Sequence, residues 1–99
     1  MERHRIMVIG NNVNTVQRVS NHCLKKNLEV FPYYGVPLVE EINVFAPHVL
    51  VLCAPIHKDF QCQILQPWIL WSEQTVDEEI PLVGTFTELY VRLQELLQI

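Results

Sequence analysis

One segment near the middle of the chain, residues 48–53 (His-Val-Leu-Val-Leu-Cys), restricts the possible folds most strongly. Its apolar residues follow one another without alternating with polar ones. A strand with one face in water alternates apolar and polar residues, so an unbroken run indicates a strand covered on both faces. Such strands are typical of parallel sheets in α/β proteins. We therefore predict that residues 48–53 form a central parallel strand.

The rest of the sequence alternates between strand and helix patterns. Helical periodicity appears at residues 13–27, 37–46 and 85–97, and at residues 57–74, where Pro67 interrupts it. Strands are predicted at residues 5–10, 28–34 and 80–84, in addition to residues 48–53. Pro32 cannot donate a hydrogen bond, which places the second strand at a sheet edge.

These elements predict one α/β domain over residues 1–99. Strands that alternate with helices form a parallel sheet with helices on both faces. The expected fold is a small three-layer α/β/α sandwich of the flavodoxin-like type, with four parallel strands in the order 2-1-3-4. Two helix starts are expected at capping boxes, Asn14 with Gln17 and Thr85 with Glu88.

Composition narrows the classes of function. The net charge of −4 argues against a nucleic-acid binder, which needs a basic face. No apolar run approaches the roughly 18 residues of a membrane span, and no signal peptide is recognisable, so we expect a cytoplasmic protein. Charged residues make up 18%, against roughly 25% in an average domain. This shortage favours a protein partner or a homodimer, or else a surface of uncharged polar residues.

In an open parallel sheet, ligands bind beyond the carboxyl ends of the strands. Three predicted loops meet there, and two of them lead into helix N-termini, which attract small anions. The alternative is that their polar residues only cap helices. The candidate pocket residues are Gly10, Asn11, Asn12, Asn14, Thr15, Cys53, His57, Thr85 and Thr87.

Cysteine chemistry is a second possibility at this end of the sheet. A helix N-terminus and the nearby His57 would lower the pKa of Cys53 and make its thiol reactive. The alternative is a small buried residue that ends an apolar strand. Cys53, His57 and Cys62 do not have the paired spacing of a zinc site, so no metal or other cofactor is expected.

Four consecutive apolar residues, Trp68, Ile69, Leu70 and Trp71, fall within the predicted helix at 57–74. Successive helical residues point about 100° apart, so a helix cannot bury all four against one sheet. Aromatic residues are enriched at interface centres. This segment is therefore the candidate partner surface. The alternative is a helix covered by the chain's own loops.

The third strand with its flanks, residues 46–55, resembles the Pro-Asp-Leu-Val-Leu-Leu-Asp strand of response regulator receiver domains. Residues 5–11 and 26–30 resemble the segments around that family's first two strands. Cys53 stands where the resemblance places the phospho-accepting aspartate. Gly10 and Asn11, or Asn11 and Asn12, stand where it places the acidic pair that holds Mg²⁺. The resemblance places the switch hydroxyl at Thr85 or Thr87, and the family's fifth strand–helix unit is missing.

A second resemblance is to the IIB subunits of the sugar phosphotransferase system, which are four-stranded and of similar length. Their phospho-accepting cysteine follows the first strand, where this chain has residues 10–14, Gly-Asn-Asn-Val-Asn.

The receiver resemblance implies a degenerate, truncated, non-catalytic module that acts through protein contacts in cytoplasmic signalling or regulation. The alternatives are a phosphocarrier or thiol enzyme that uses Cys53, and a sensor of small anions or nucleotides at the loop after the first strand.

Overall fold

A computed structural model describes residues 4–54, 64–72 and 84–98 of the chain. Strands and helices alternate through most of these residues, as the sequence pattern predicts. In chain order the elements are β1 (Arg5–Gly10), α1 (Val13–Lys25), β2 (Glu29–Tyr34), α2 (Val39–Phe45), β3 (Val49–Cys53), β4 (Trp68–Trp71) and α3 (Phe86–Leu97).

The four strands form one parallel sheet in the order β2-β1-β3-β4. The predicted class, order and parallel direction are confirmed. β3 lies between β1 and β4, and all five of its residues are buried. β2 lies at one edge of the sheet, as Pro32 predicts. No described strand pairs with its outer side.

Both faces of the sheet are covered, and this explains the uninterrupted apolar run of β3. Val49, Val51 and Cys53 point to a core shared with α1 and α3. Leu50 and Leu52 point to a second core on the opposite face, which includes Ile42 of α2. Because successive residues of a strand face opposite sides, each core demands an apolar residue at every second position.

The fourth strand corrects one prediction. Residues 57–74 were expected to form a helix interrupted at Pro67, but Trp68–Trp71 is a strand. Trp68 and Leu70 pack against the α2 side of the sheet, whereas Ile69 and Trp71 pack against the α1 and α3 side. A short apolar run fits a strand buried on both faces as well as it fits a helix, and here both faces are covered. The strand predicted at residues 80–84 lies outside the described residues except for Gly84.

Helix termini follow local side-chain chemistry. The N-cap of α1 is Asn12, not Asn14, because Asn12 Oδ1 accepts a hydrogen bond of 3.2 Å from the Thr15 amide. The second capping box is confirmed: Thr85 Oγ1 accepts from the Glu88 amide at 3.2 Å and donates to Glu88 Oε1 at 3.0 Å.

Stacked rings join α3 to the rest of the fold. The Phe86 ring stacks on Trp71, with 5.1 Å between ring centroids, and on His22 of α1, with 4.5 Å between centroids. Partial burial lowers the pKa of His22, and the positive charges of Lys26 and Lys25 lower it further, while a backbone hydrogen bond at Phe86 acts in the opposite direction. Burial and the two nearby lysines therefore favour neutral His22 in this stack.

This stack predicts a pH-dependent stability. The unfolded chain protonates His22 near its ordinary pKa of 6.5, whereas the folded chain does so only at lower pH. Between these two pH values the unfolded chain binds more protons than the folded chain, so the free energy of unfolding falls as the pH is lowered from about 6.5 towards the pKa of folded His22. Urea unfolding of the His22→Gln variant should show a shallower loss between pH 7 and pH 5 than the unmodified chain. Equal slopes in the two proteins would contradict this role of His22.

Candidate functional site at the carboxyl ends of the strands

The carboxyl ends of the strands meet along one edge of the sheet. The Gly35 amide, just after β2, donates to the Gly10 carbonyl at 2.8 Å. The Ala54 amide, just after β3, donates to the Trp71 carbonyl at 2.8 Å. The ends of all four strands therefore lie side by side, which is where the sequence placed a candidate pocket.

Gly10 lies at the centre of this edge and has no side chain. A Cβ atom at Gly10 would lie 2.8 Å from Cβ of Cys53 and 2.9 Å from Cγ2 of Val16. Real Cβ atoms do not approach other carbons this closely, and Cβ of Cys53 cannot rotate away. The space in which a longer residue at position 10 would place its side chain is therefore occupied by Cys53 and Val16.

The polar residues after β1 act at the start of α1. Asn12 caps the helix, and its side-chain oxygen is engaged with Thr15. Asn11 and Asn14 are exposed, and Thr15 is half-buried in the first turn. The capping alternative accounts for Asn12 and Thr15 but gives Asn11 and Asn14 no structural role.

At the other end of the site, Thr85 is fully engaged in capping α3. Thr87 is exposed on the first turn of the same helix. The residue that directly follows β4 is Ser72, and its carbonyl oxygen would lie 3.1 Å from a Cβ at Gly84. The start of α3 and the end of β4 are therefore neighbours.

Ser72 is a position that the sequence reasoning missed. The receiver resemblance assigns the switch hydroxyl to Thr85 or Thr87 because the sequence pattern predicts the fourth strand at residues 80–84. With β4 at Trp68–Trp71, the hydroxyl residue at the end of the fourth described strand is Ser72. The Trp-Ser pair at the end of the apolar run would have indicated this, had the run been interpreted as a strand.

The cysteines of the described residues are buried. Cys53 is 2% exposed, and its side chain points into the core formed with α1 and α3. Cys23 of α1 belongs to the same core, and burial raises the pKa of its thiol to about 12. His57, the expected partner of Cys53, and Cys62 lie outside the described residues.

The candidate partner surface also has a different setting from the one predicted. Ile69, Leu70 and Trp71 are buried within this chain, and Trp68 is half-buried. The argument that a helix cannot bury four successive apolar residues does not apply to a strand covered on both faces. These residues stabilise the domain itself.

The described residues contain neither a cluster of metal ligands nor a membrane-spanning helix. Within residues 4–54, 64–72 and 84–98, no group of three or more His, Cys, Asp or Glu side chains is placed to hold a metal ion. No helix in these ranges is both long enough and apolar enough to cross a membrane.

The fold is similar to that of a solved receiver domain. The crystal structure of a response regulator receiver domain protein from Bacillus halodurans C-125 matches with a TM-score of 0.59. The match covers 96% of this chain and 97% of that one, at 13% sequence identity. No protein-family model matches the sequence, and a search of curated proteins finds no match. The chain therefore has a receiver-like fold, and the similarity extends no further than the fold.

The contact at Gly10 predicts a large effect of one methyl group. Gly10→Ala forces an extra carbon between Cys53 and Val16, and such overpacking costs about 1–3 kcal/mol. Asn11→Ala, at the next and exposed position, is the control and should change stability by less than about 0.5 kcal/mol. Urea unfolding measures both. Equal stability of the two variants would show that the space beside Gly10 is open.

Burial of the thiols predicts slow alkylation. Cys53 and Cys23 should react with iodoacetamide near neutral pH far more slowly than a cysteine placed at the exposed Asn11 by Asn11→Cys, because only an accessible thiolate reacts. Peptide mass mapping over time assigns the rate at each site. Fast labelling of Cys53 in the folded chain would contradict its burial and favour the alternative of a thiol enzyme that uses Cys53.

Proposed function

We propose that this chain is a receiver-like interaction module that works through contacts with other proteins and performs no phosphoryl transfer. Its setting would be cytoplasmic signalling or regulation. The observation that carries the proposal is the contact between Gly10, Cys53 and Val16, at the edge where the receiver fold would carry its chemistry. Three features of the described residues support it.

The first feature is the lack of suitable ligands. Mg²⁺ prefers carboxylate oxygens and water, and the phosphoryl chemistry of receiver domains uses an aspartate as the acceptor. The positions that the receiver resemblance assigns to these acidic residues hold Gly10, Asn11 and Cys53. Neutral amide oxygens do not offset the charge of a divalent cation as carboxylates do.

The second feature is the lack of space. Receiver chemistry would bring a phosphoryl group and an ion between the ends of β1 and β3. In this chain the Cys53 side chain and Val16 already contact Gly10 there, and Cys53 is buried. Replacing one residue by an acid would therefore not recreate the pocket. Burial of Cys53 also disfavours the thiol enzyme and phosphocarrier alternatives.

The third feature is the surface. Large apolar side chains are exposed at several places, including Tyr34 at the end of β2 and Val36 and Leu38 between β2 and α2. Single exposed apolar residues are ordinary, but a group of them indicates a binding surface. With few charged residues in the chain, such a surface is suited to another protein. A homodimer is a second way to cover it.

Loss of phosphoryl chemistry is tested by NMR. Amide spectra of the purified chain are recorded with excess Mg²⁺ and then with acetyl phosphate. We expect no shifts at Gly10, Asn11, Cys53 or Ser72, because no carboxylate at the assigned positions binds the ion. A receiver domain that is phosphorylated under these conditions serves as the reagent control.

The Cys53→Asp variant sharpens this experiment. It restores the residue type at the assigned acceptor position but leaves Gly10 and Asn11 unchanged. Intact mass after acetyl phosphate treatment should show no phosphoryl adduct on either the variant or the unmodified chain. Saturable shifts around Gly10 and Cys53, or an adduct on the unmodified chain, would overturn the proposed function.

A further inference from the structure

A groove lies between α1 and the outer edge of β2. Its helix wall is one stripe of α1: Gln17, Ser20, Asn21 and Leu24. Its strand wall consists of Val30, Pro32 and Tyr34. The groove has a volume of about 430 Å³, and every residue that lines it is uncharged. Ser20 is buried, and its hydroxyl has no hydrogen-bond partner among the described residues, which is a free-energy cost to the folded chain.

The backbone of β2 presents unused hydrogen-bonding groups beside this groove. The amides of Glu29 and Gly35 donate to His4 and Gly10, so odd-numbered residues of β2 face β1. Because alternate residues of a strand point their backbone groups to opposite sides, Val30, Pro32 and Tyr34 face outward. No described strand lies on that side. The edge therefore offers two N–H donors, at Val30 and Tyr34, and three carbonyl acceptors.

Because Pro32 has no N–H, the β2 edge pairs less well with a second copy of this chain than with a different protein. If two copies paired through β2 about a twofold axis centred on Pro32, the two prolines would face each other and both central hydrogen bonds would be lost. A different chain with an N–H opposite Pro32 donates to the Pro32 carbonyl and loses only one. The edge thus disfavours a second copy and favours another protein.

We infer that the β2 edge and the α1–β2 groove bind an extended segment of a partner protein, which adds to the sheet as a further strand. This inference rests on the proposed function, since it names the partner contact by which the module acts. Main-chain hydrogen bonds to Val30, Pro32 and Tyr34 hold the segment. Every second side chain of the segment enters the groove, where uncharged walls select uncharged, mainly apolar residues.

Selection from a library of random twelve-residue peptides, displayed on phage and panned on the immobilised full chain, supplies the probe. Selected peptides are made synthetically, and their affinity for the chain is measured by calorimetry. We expect peptides with alternating uncharged residues and no central proline. In spectra of the labelled chain they should shift the Val30 and Tyr34 amides and slow their hydrogen exchange, because these amides become hydrogen-bonded.

Two helical positions give a matched pair of variants. Leu24 lines the groove and is 52% exposed, whereas Val91 is 46% exposed on α3 and does not line it. Leu24→Glu places a charge against the bound side chain and should weaken peptide binding about tenfold or more. Val91→Glu adds the same charge at similar exposure and should leave the affinity unchanged.

A third variant changes binding in the opposite direction. Pro32→Val restores an outward N–H at the centre of the edge, so the bound segment gains one hydrogen bond. Affinity for the selected peptides should rise about fivefold. Because one variant weakens and another strengthens binding, loss of folding cannot imitate the pattern.

The outcomes separate this inference from the proposed function. Recovery of no peptides, equal effects of the Leu24 and Val91 changes, or a dimer of the unmodified chain paired through β2 would overturn the inference. Peptides whose shifts map to Val36 and Leu38 would overturn it too, while leaving a protein-binding role intact. Phosphoryl or Mg²⁺ binding at Gly10 and Cys53 would instead overturn the proposed function.

Discussion

The close approach of β1, β3 and α1 at Gly10 is the constraint on which the rest of the structure depends. Position 10 has no side chain, so Cβ of Cys53 and the Val16 side chain close over it. This contact fixes where α1 crosses the sheet and buries the end of the central strand. In the proposed function, the same packing also fills the place where receiver chemistry would occur.

Much of the fold was predictable because its signals are local or periodic. The apolar run of β3, the proline of β2 and the Thr85 capping box each indicate one structure, and all three are present. The run at Trp68–Trp71 was misassigned because four apolar residues have too little length to distinguish a helix from a strand. Two asparagines compete for the N-cap of α1, and only the observed hydrogen bond to Thr15 selects Asn12.

The position of the candidate site was predictable from the sequence, but whether side chains fill it was not. Topology alone brings Gly10 and Cys53 to one edge of the sheet, since parallel strands end together. Whether the space between them is open depends on how closely the Val16 and Cys53 side chains approach Gly10. No local sequence pattern predicts that distance. The same holds for the groove beside β2. Its stripe on α1 is visible as a helical face, but its strand wall depends on the outward register of Val30, Pro32 and Tyr34.

The most direct test of this account is the set of proton–proton nuclear Overhauser effects from Gly10 in the free chain. Two strong effects are predicted, from the Gly10 α protons to the Cys53 β protons and to a Val16 methyl group. Both follow from the contact that closes the site. Nuclear Overhauser effects from water to the Gly10 α protons, in the absence of effects to Cys53 and Val16, would contradict this contact. They would mean that the edge of the sheet is open to a ligand.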